Sequence, residues 1–303
     1  MKIKVINIVA LFLGLFSYGQ QDAQFTQYMY NTINVNPAYA GSRGVMSIFA
    51  LHRTQWVGLD GAPISNAVSV NTPIGNSKLG LGVSFVNDKI GPTNENTISA
   101  DLSYSIQTSA DFKLSFGMKA TGNLFNLDAS KLNPTDQGDP KFQNLKNIFT
   151  PNIGAGIYYH SNKAYLGFSI PNFIQTNRYD DNEVAVFKDK INYYVIGGYV
   201  FDLSNDIQFK PAFLTKIVEG SPLQLDVSAN FMFVEKLTVG VAYRWSAALS
   251  AMVGFQITDG MYIGYGYDLE TTNLENYNSG SHEIFLRYEI FKNNEKMTTP
   301  RFF

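Results

Sequence analysis

The sequence predicts an all-β protein: a transmembrane antiparallel β-barrel of about 14 strands, with long extracellular loops, short periplasmic turns and an N-terminal segment that packs under or into the barrel mouth. Three observations predict it. The first is side-chain alternation. From Thr97 to Ile106 every second residue is apolar (Ile98, Ala100, Leu102, Tyr104, Ile106) and every residue between is polar (Thr97, Ser99, Asp101, Ser103, Ser105), so a strand there has one greasy and one wet face. The second is that connections between such runs alternate between short and long. The third is that strand charges fall on the wet parity. A charge facing lipid at mid-membrane costs about 2–4 kcal/mol, so that parity must face inward.

Composition agrees with a barrel. The 303 residues have a formal net charge of −2, no cysteine, 16% charged and 14% aromatic residues. The charged share is well below the roughly 25% of soluble domains. The near-neutral charge gives no electrostatic footprint for nucleic acid. The missing cysteines exclude disulfides, Cys-ligated zinc and a thiol nucleophile. The mean hydropathy of −0.09 fits a barrel as well as a soluble protein, because lumen-facing polar residues cancel lipid-facing apolar ones.

In chain order, residues 1–19 read as a signal peptide: Lys2 and Lys4, the apolar stretch Val5 to Phe16, then Ser17-Tyr18-Gly19. Residues 20–42 form a periplasmic lead-in. There Phe25, Tyr28 and Met29 share one face of a short helix that Asn36-Pro37 stops. Residues 43–291 form the barrel and 292–303 a periplasmic tail. The strand candidates are Val45 to Arg53, Ile64 to Thr72, Leu79 to Val86, Thr97 to Ile106, Phe112 to Thr121, Asn152 to His160, Ala164 to Ile170, Tyr193 to Phe201, Gln208 to Val218, Leu223 to Phe233, Leu237 to Trp245, Leu249 to Ile257, Met261 to Leu269 and His282 to Phe291. Leu223 to Phe233 alternates cleanly, with Leu223, Leu225, Val227, Ala229, Phe231 and Phe233 set against Gln224, Asp226, Ser228 and Asn230.

Short turns fall at 73–77, 107–111, 161–162, 202–206, 234–236 and 258–260. Long loops are expected at 54–63, 87–96, 126–147, 171–190 and 270–280, with short exceptions on that side at 219–222 and near Ser246. Sorting connections by length between two rims is the layout of an outer-membrane barrel. The inward charges are Asp101, Lys119, Lys210, Lys216, Asp226, Arg244, Asp268, Glu283, Arg287 and Glu289. Both signs occur, so ion pairs can close the lumen. Tyr104, Phe112, Tyr243, Trp245, Tyr267, Tyr288 and Phe291 suit interfacial girdles.

No catalytic constellation emerges. Ser281-His282-Glu283 cannot form a triad on a strand, because neighbouring side chains point to opposite faces, and the histidines at 52 and 282 read as rim residues. The run 179–183 lacks the spacing of a dedicated calcium loop. Leu79-Gly80-Leu81-Gly82 precedes no helix and is no dinucleotide motif; its glycines read as small inward residues that let a plug approach. No enzyme, cofactor or metal is expected. The long loops are the candidate partner surface, with Trp56, Phe142, Phe173, Arg178 and Phe187 as candidate contacts.

Several ordered motifs resemble the PorP/SprF family. They are Gln24-Phe25-Thr26-Gln27-Tyr28-Met29, the stretch from Asn36-Pro37-Ala38-Tyr39-Ala40-Gly41 to Gly44, Arg53-Thr54-Gln55-Trp56-Val57-Gly58, Asn87 to Thr93, Ser281-His282-Glu283-Ile284 with Arg287-Tyr288, and the ending Pro300-Arg301-Phe302-Phe303. The resemblance implies an outer-membrane protein of type IX secretion and gliding motility. Such a protein would support secretion of a partner or adhesin bearing a C-terminal sorting domain and anchor it at the cell surface. Membership of the secretion machine, in contact with periplasmic ring proteins, stays open, as does a porin-like diffusion channel.

Overall fold

The computed structural model describes residues 25–75, 77–132, 144–175 and 190–291. These form one closed antiparallel barrel of 14 strands. The strands are β1 (Met46–Thr54), β2 (Ile64–Pro73), β3 (Leu79–Ile90), β4 (Thr93–Gln107), β5 (Lys113–Leu127), β6 (Leu145–His160), β7 (Ala164–Ile170), β8 (Asn192–Tyr199, continued after one residue by Phe201–Asp202), β9 (Ile207–Val218), β10 (Gln224–Phe233), β11 (Leu237–Arg244), β12 (Ala248–Thr258), β13 (Met261–Glu270) and β14 (Ser281–Ile290). Each pairs with its neighbours in sequence. The first and last strands close the ring in register from Met46↔Ile290 to Thr54↔His282. Closure leaves no free sheet edge, the condition for a sheet to sit in hydrocarbon.

Burial alternates along every strand, and it inverts the soluble pattern. Ser99, Asp101 and Ser103 are buried, while Ile98, Leu102 and Met118 are exposed. The apolar side faces lipid and the polar side faces the lumen, which makes the protein an integral outer-membrane barrel. The termini of β1 and β14 share the inner rim with the short turns, and the long loops share the outer rim.

One expected loop is a strand. Residues 87–96 complete β3 and β4, joined by a tight turn at Gly91-Pro92 in which Gly91 takes φ +53°. The apolar alternation that marks strands in sequence stops at Phe85 and Ile98, where the hairpin rises above the lipid. Asn87, Asn94 and Asn96 bond to one another there instead. β5 and β6 extend past their apolar stretch in the same way, so the expected 126–147 loop is shorter than the sequence implied.

Candidate functional site

The interior of the barrel is organised around residues 25–42. The expected single short helix is instead three tight turns, Tyr28–Tyr30, Thr32–Val35 (α1) and Pro37–Tyr39. The segment lies inside the lumen. Its described start sits near the outer rim, where the Thr26 and Gln27 amides donate to the two carboxylate oxygens of Glu283 on β14 (3.0 and 2.9 Å). Its end, Gly41, packs against Gly80 and Pro73 at the inner rim. The plug therefore runs down the bore, touching walls on opposite sides.

Two kinds of inward residue make this possible. Glycines give room. A methyl at Gly80 would stand 2.2 Å from the Ala40 carbonyl oxygen, at Gly117 2.2 Å from the Ala38 nitrogen, and at Gly156 2.2 Å from Asn36 Oδ1. The polypeptide thus passes the wall at backbone contact distance, and only glycine permits it. Gly82, also singled out in the sequence, faces Ile33. Asn36 anchors the seam: its amide nitrogen donates to the Ile157 carbonyl (3.0 Å) and its oxygen accepts from the Ala38 amide (3.0 Å).

Charges supply the second fastening. Asp101, Lys119, Lys210, Lys216, Asp226, Asp268, Glu283, Arg287 and Glu289 are buried on the lumen side and Arg244 is nearly so. Several are direct cross-strand neighbours: Asp101 and Lys119 (2.9 Å), Asp226 and Arg244 (2.8 Å), Arg53 and Glu283 (3.1 Å). Arg53, which the sequence reading left unassigned, is the hub. Its guanidinium also bonds Asp268 (2.7 Å) and the Thr26 hydroxyl (2.9 Å), tying the plug to β1, β13 and β14 together. Lower down, Tyr30 stacks on Phe285 (4.9 Å) and receives Lys210 over its ring (4.6 Å). Arg43, at the foot of the plug, pairs with Glu289. Buried pairs are costly to assemble and costlier to break, so they fix strand register and plug position at once.

The outer rim carries the candidate partner contacts. Trp56 is half-buried. Its indole nitrogen donates to Glu270 (3.0 Å) and its amide to the Ser281 hydroxyl (3.1 Å), with a backbone φ of +45°. It clasps the β1–β2 loop to the β13–β14 loop and is not a free side chain. Phe173 is exposed on a stretch that leaves β7 toward the lumen: the Pro171 carbonyl lies over inward Gly154, and Ile174 bonds the inward Asn152 side chain (2.8 and 2.9 Å). The 171–190 loop therefore starts across the mouth. Phe142, Arg178 and Phe187 lie outside the described residues, as does the 179–183 run. The sequence reading missed the exposed Leu274 and Tyr277, on a tight turn from Asn273 to Tyr277, and Leu59 on the adjoining loop. Hydrogen bonds between Val57 and both Ser279 and Gly280 join these two loops into one platform. An aromatic in a Gly- and Asn-rich loop was the signal available. Ser281 and Glu283 point inward and His282 outward, where it meets the Tyr265 hydroxyl (2.6 Å). Among the described residues no group of three His, Cys, Asp or Glu side chains could hold a metal ion.

A family model described as "Type IX secretion system membrane protein PorP/SprF" matches residues 17–288. No curated protein sequence matches the chain. Solved structures similar to it include the Acinetobacter baumannii outer membrane protein Omp33 (8% identity, 81% of this chain and 98% of that one, TM-score 0.49), the CymD monoaromatic hydrocarbon channel (10%, 92% and 97%, 0.47) and the KdgM porin (10%, 81% and 99%, 0.38).

Proposed function

The chain belongs to the PorP/SprF family of type IX secretion membrane proteins, and from that premise we propose that it is a non-enzymatic docking barrel. It supports secretion of a partner protein bearing a C-terminal sorting domain and holds that partner at the cell surface. The observation that carries the reading is the plug. A bore occupied from outer to inner rim by the protein's own chain, held there by glycine contacts and buried ion pairs, suits a rigid platform better than a solute path. The partner then binds the outer face, on the loops around Leu59, Leu274 and Tyr277 and on the 171–190 loop, which is long enough to be functional.

The test is affinity purification of the tagged protein from outer membranes with mass spectrometry of what accompanies it. A large secreted protein with a C-terminal sorting domain is expected. Periplasmic ring or lipoprotein components alone would instead make the barrel part of the secretion machine. A well-folded sample that brings neither and conducts ions in planar bilayers would be a diffusion channel. Deleting 171–190 should leave membrane insertion intact and weaken retention of the partner; unchanged retention would move the docking surface elsewhere.

A further inference from the structure

The lipid-facing side of the barrel is not uniform around its circumference. On β1 to β4 most outward residues near the outer rim are polar, with Ile64 the apolar exception, and His52, Thr54, Asn66, Asn87, Asn94 and Asn96 form one hydrogen-bonded belt. His52 Nε2 meets Thr54 Oγ1 (3.1 Å) and His52 Nδ1 meets Asn66 Oδ1 (2.8 Å). Asn66 donates to Asn87 (3.4 Å), and Asn87 donates to both Asn94 (2.7 Å) and Asn96 (2.9 Å). These are cross-strand neighbours, His52↔Asn66, Asn66↔Asn87 and Asn87↔Asn96, so the belt crosses four strands without a break. Lys89 stands on the same outward parity, opposite Asn94.

Directly below the belt, on the same parity, Val68, Phe85 and Ile98 are exposed and face lipid. The apolar layer of β3 spans only Leu79 to Phe85. On β6 it spans Phe149 to Tyr159. In register, Asn96 pairs with Leu124 and Leu124 with Phe149, so on β5 and β6 the apolar layer reaches one residue pair farther toward the outer rim, roughly 5 Å of bilayer height at a strand tilt of about 40°. Amides do not face acyl chains without cost. The outer leaflet must therefore meet β3 and β4 lower than it meets β5 and β6, with its headgroups against the belt. Amide and imidazole groups offer both donors and acceptors, which matches sugar hydroxyls, and Lys89 supplies a cation for a phosphate on the same headgroup.

We propose that the belt on β1 to β4 is a binding surface for the phosphorylated saccharide headgroup of an outer-leaflet glycolipid. This is separate from the docking of a secreted partner. Its occupant follows from continuity with the lipid-facing surface just beneath it.

The experiment uses the full-length protein in its native outer membrane, with a photo-reactive side chain at position 94 or, on the opposite wall, at position 217. After irradiation, the adduct from position 94 should carry glycolipid by mass spectrometry, and position 217 should give far less. Adding Asn66→Leu and Asn87→Leu should cut the glycolipid adduct at 94 by about tenfold, as expected for losing one or two hydrogen bonds. Heat-modified gel mobility serves as the control for folding. Equal glycolipid labelling from both walls, a protein adduct at 94, no adduct there, or a folded double variant that labels like the parent would each overturn the proposal.

Discussion

At the scale of single residues, the wall obeys two rules, and both are written in the sequence to different depths. Charge was legible by parity within the membrane span, because a charged side chain facing lipid there is costly; Lys89, above the apolar layer of β3, escapes the rule and faces outward. What parity could not give was pairing. That Arg53 meets Glu283, near the other end of the chain, depends on ring closure and register. Arg53→Met should therefore destabilise the barrel by about 3–5 kcal/mol, the cost of stranding buried partners, read as a lower denaturant midpoint; a midpoint unchanged from the parent would show that Asp268 and Glu283 carry no stranded charge. Glycine was legible at Gly80 and Gly82 as a small inward residue that lets a plug approach. Gly117 and Gly156 do the same work, but their neighbours on the plug could be known only from the fold. Gly117→Val should expel Ala38 from the wall while the hydrogen-bonded ladder persists. Protease cleavage near Ala38 from the inner side, with normal heat-modified mobility, is the expected readout. Trp56 was ambiguous in the sequence, because a large aromatic in a loop reads the same whether it waits for a partner or clasps its own rim.

Among elements, alternation located the strands well wherever both lipid and lumen bear on them. It failed on the upper halves of β3 and β4, and of β5 and β6, where the strands have left the hydrocarbon and neither face needs to be apolar. Backbone pairing continues there without the signal that reveals it. The plug was visible as a non-strand segment before the first strand, but its turns were not: three short turns follow the bore, each too brief to show a helical period. Removing residues 25–42 should open a continuous aqueous path. The parent is expected to give little or no current in planar bilayers and the deletion variant steady single-channel conductance; equal currents from the two would mean that the plug does not seal the bore.

For the whole molecule, closure was legible from an even strand number and from connections sorted by length between two rims, and the inverted burial pattern from charges that fall on the wet parity. The height of the lipid around the circumference was not legible, since it depends on which strands are neighbours and how far each rises. The plug's contact with Glu283 has a consequence for how the molecule is made. Thr26 and Gln27 belong to the first stretch of the barrel chain to be exported and Glu283 to the last, so the contacts joining them have nearly the greatest sequence separation possible. Such contacts form late and slowly. Glu283, on the last strand, completes the set of partners around Arg53 and the plug amides and stands at the seam with β1. Glu283→Gln should yield chains that reach the membrane but linger as unclosed, heat-insensitive intermediates, visible in a pulse-chase of assembly long before any effect on the finished barrel could be measured.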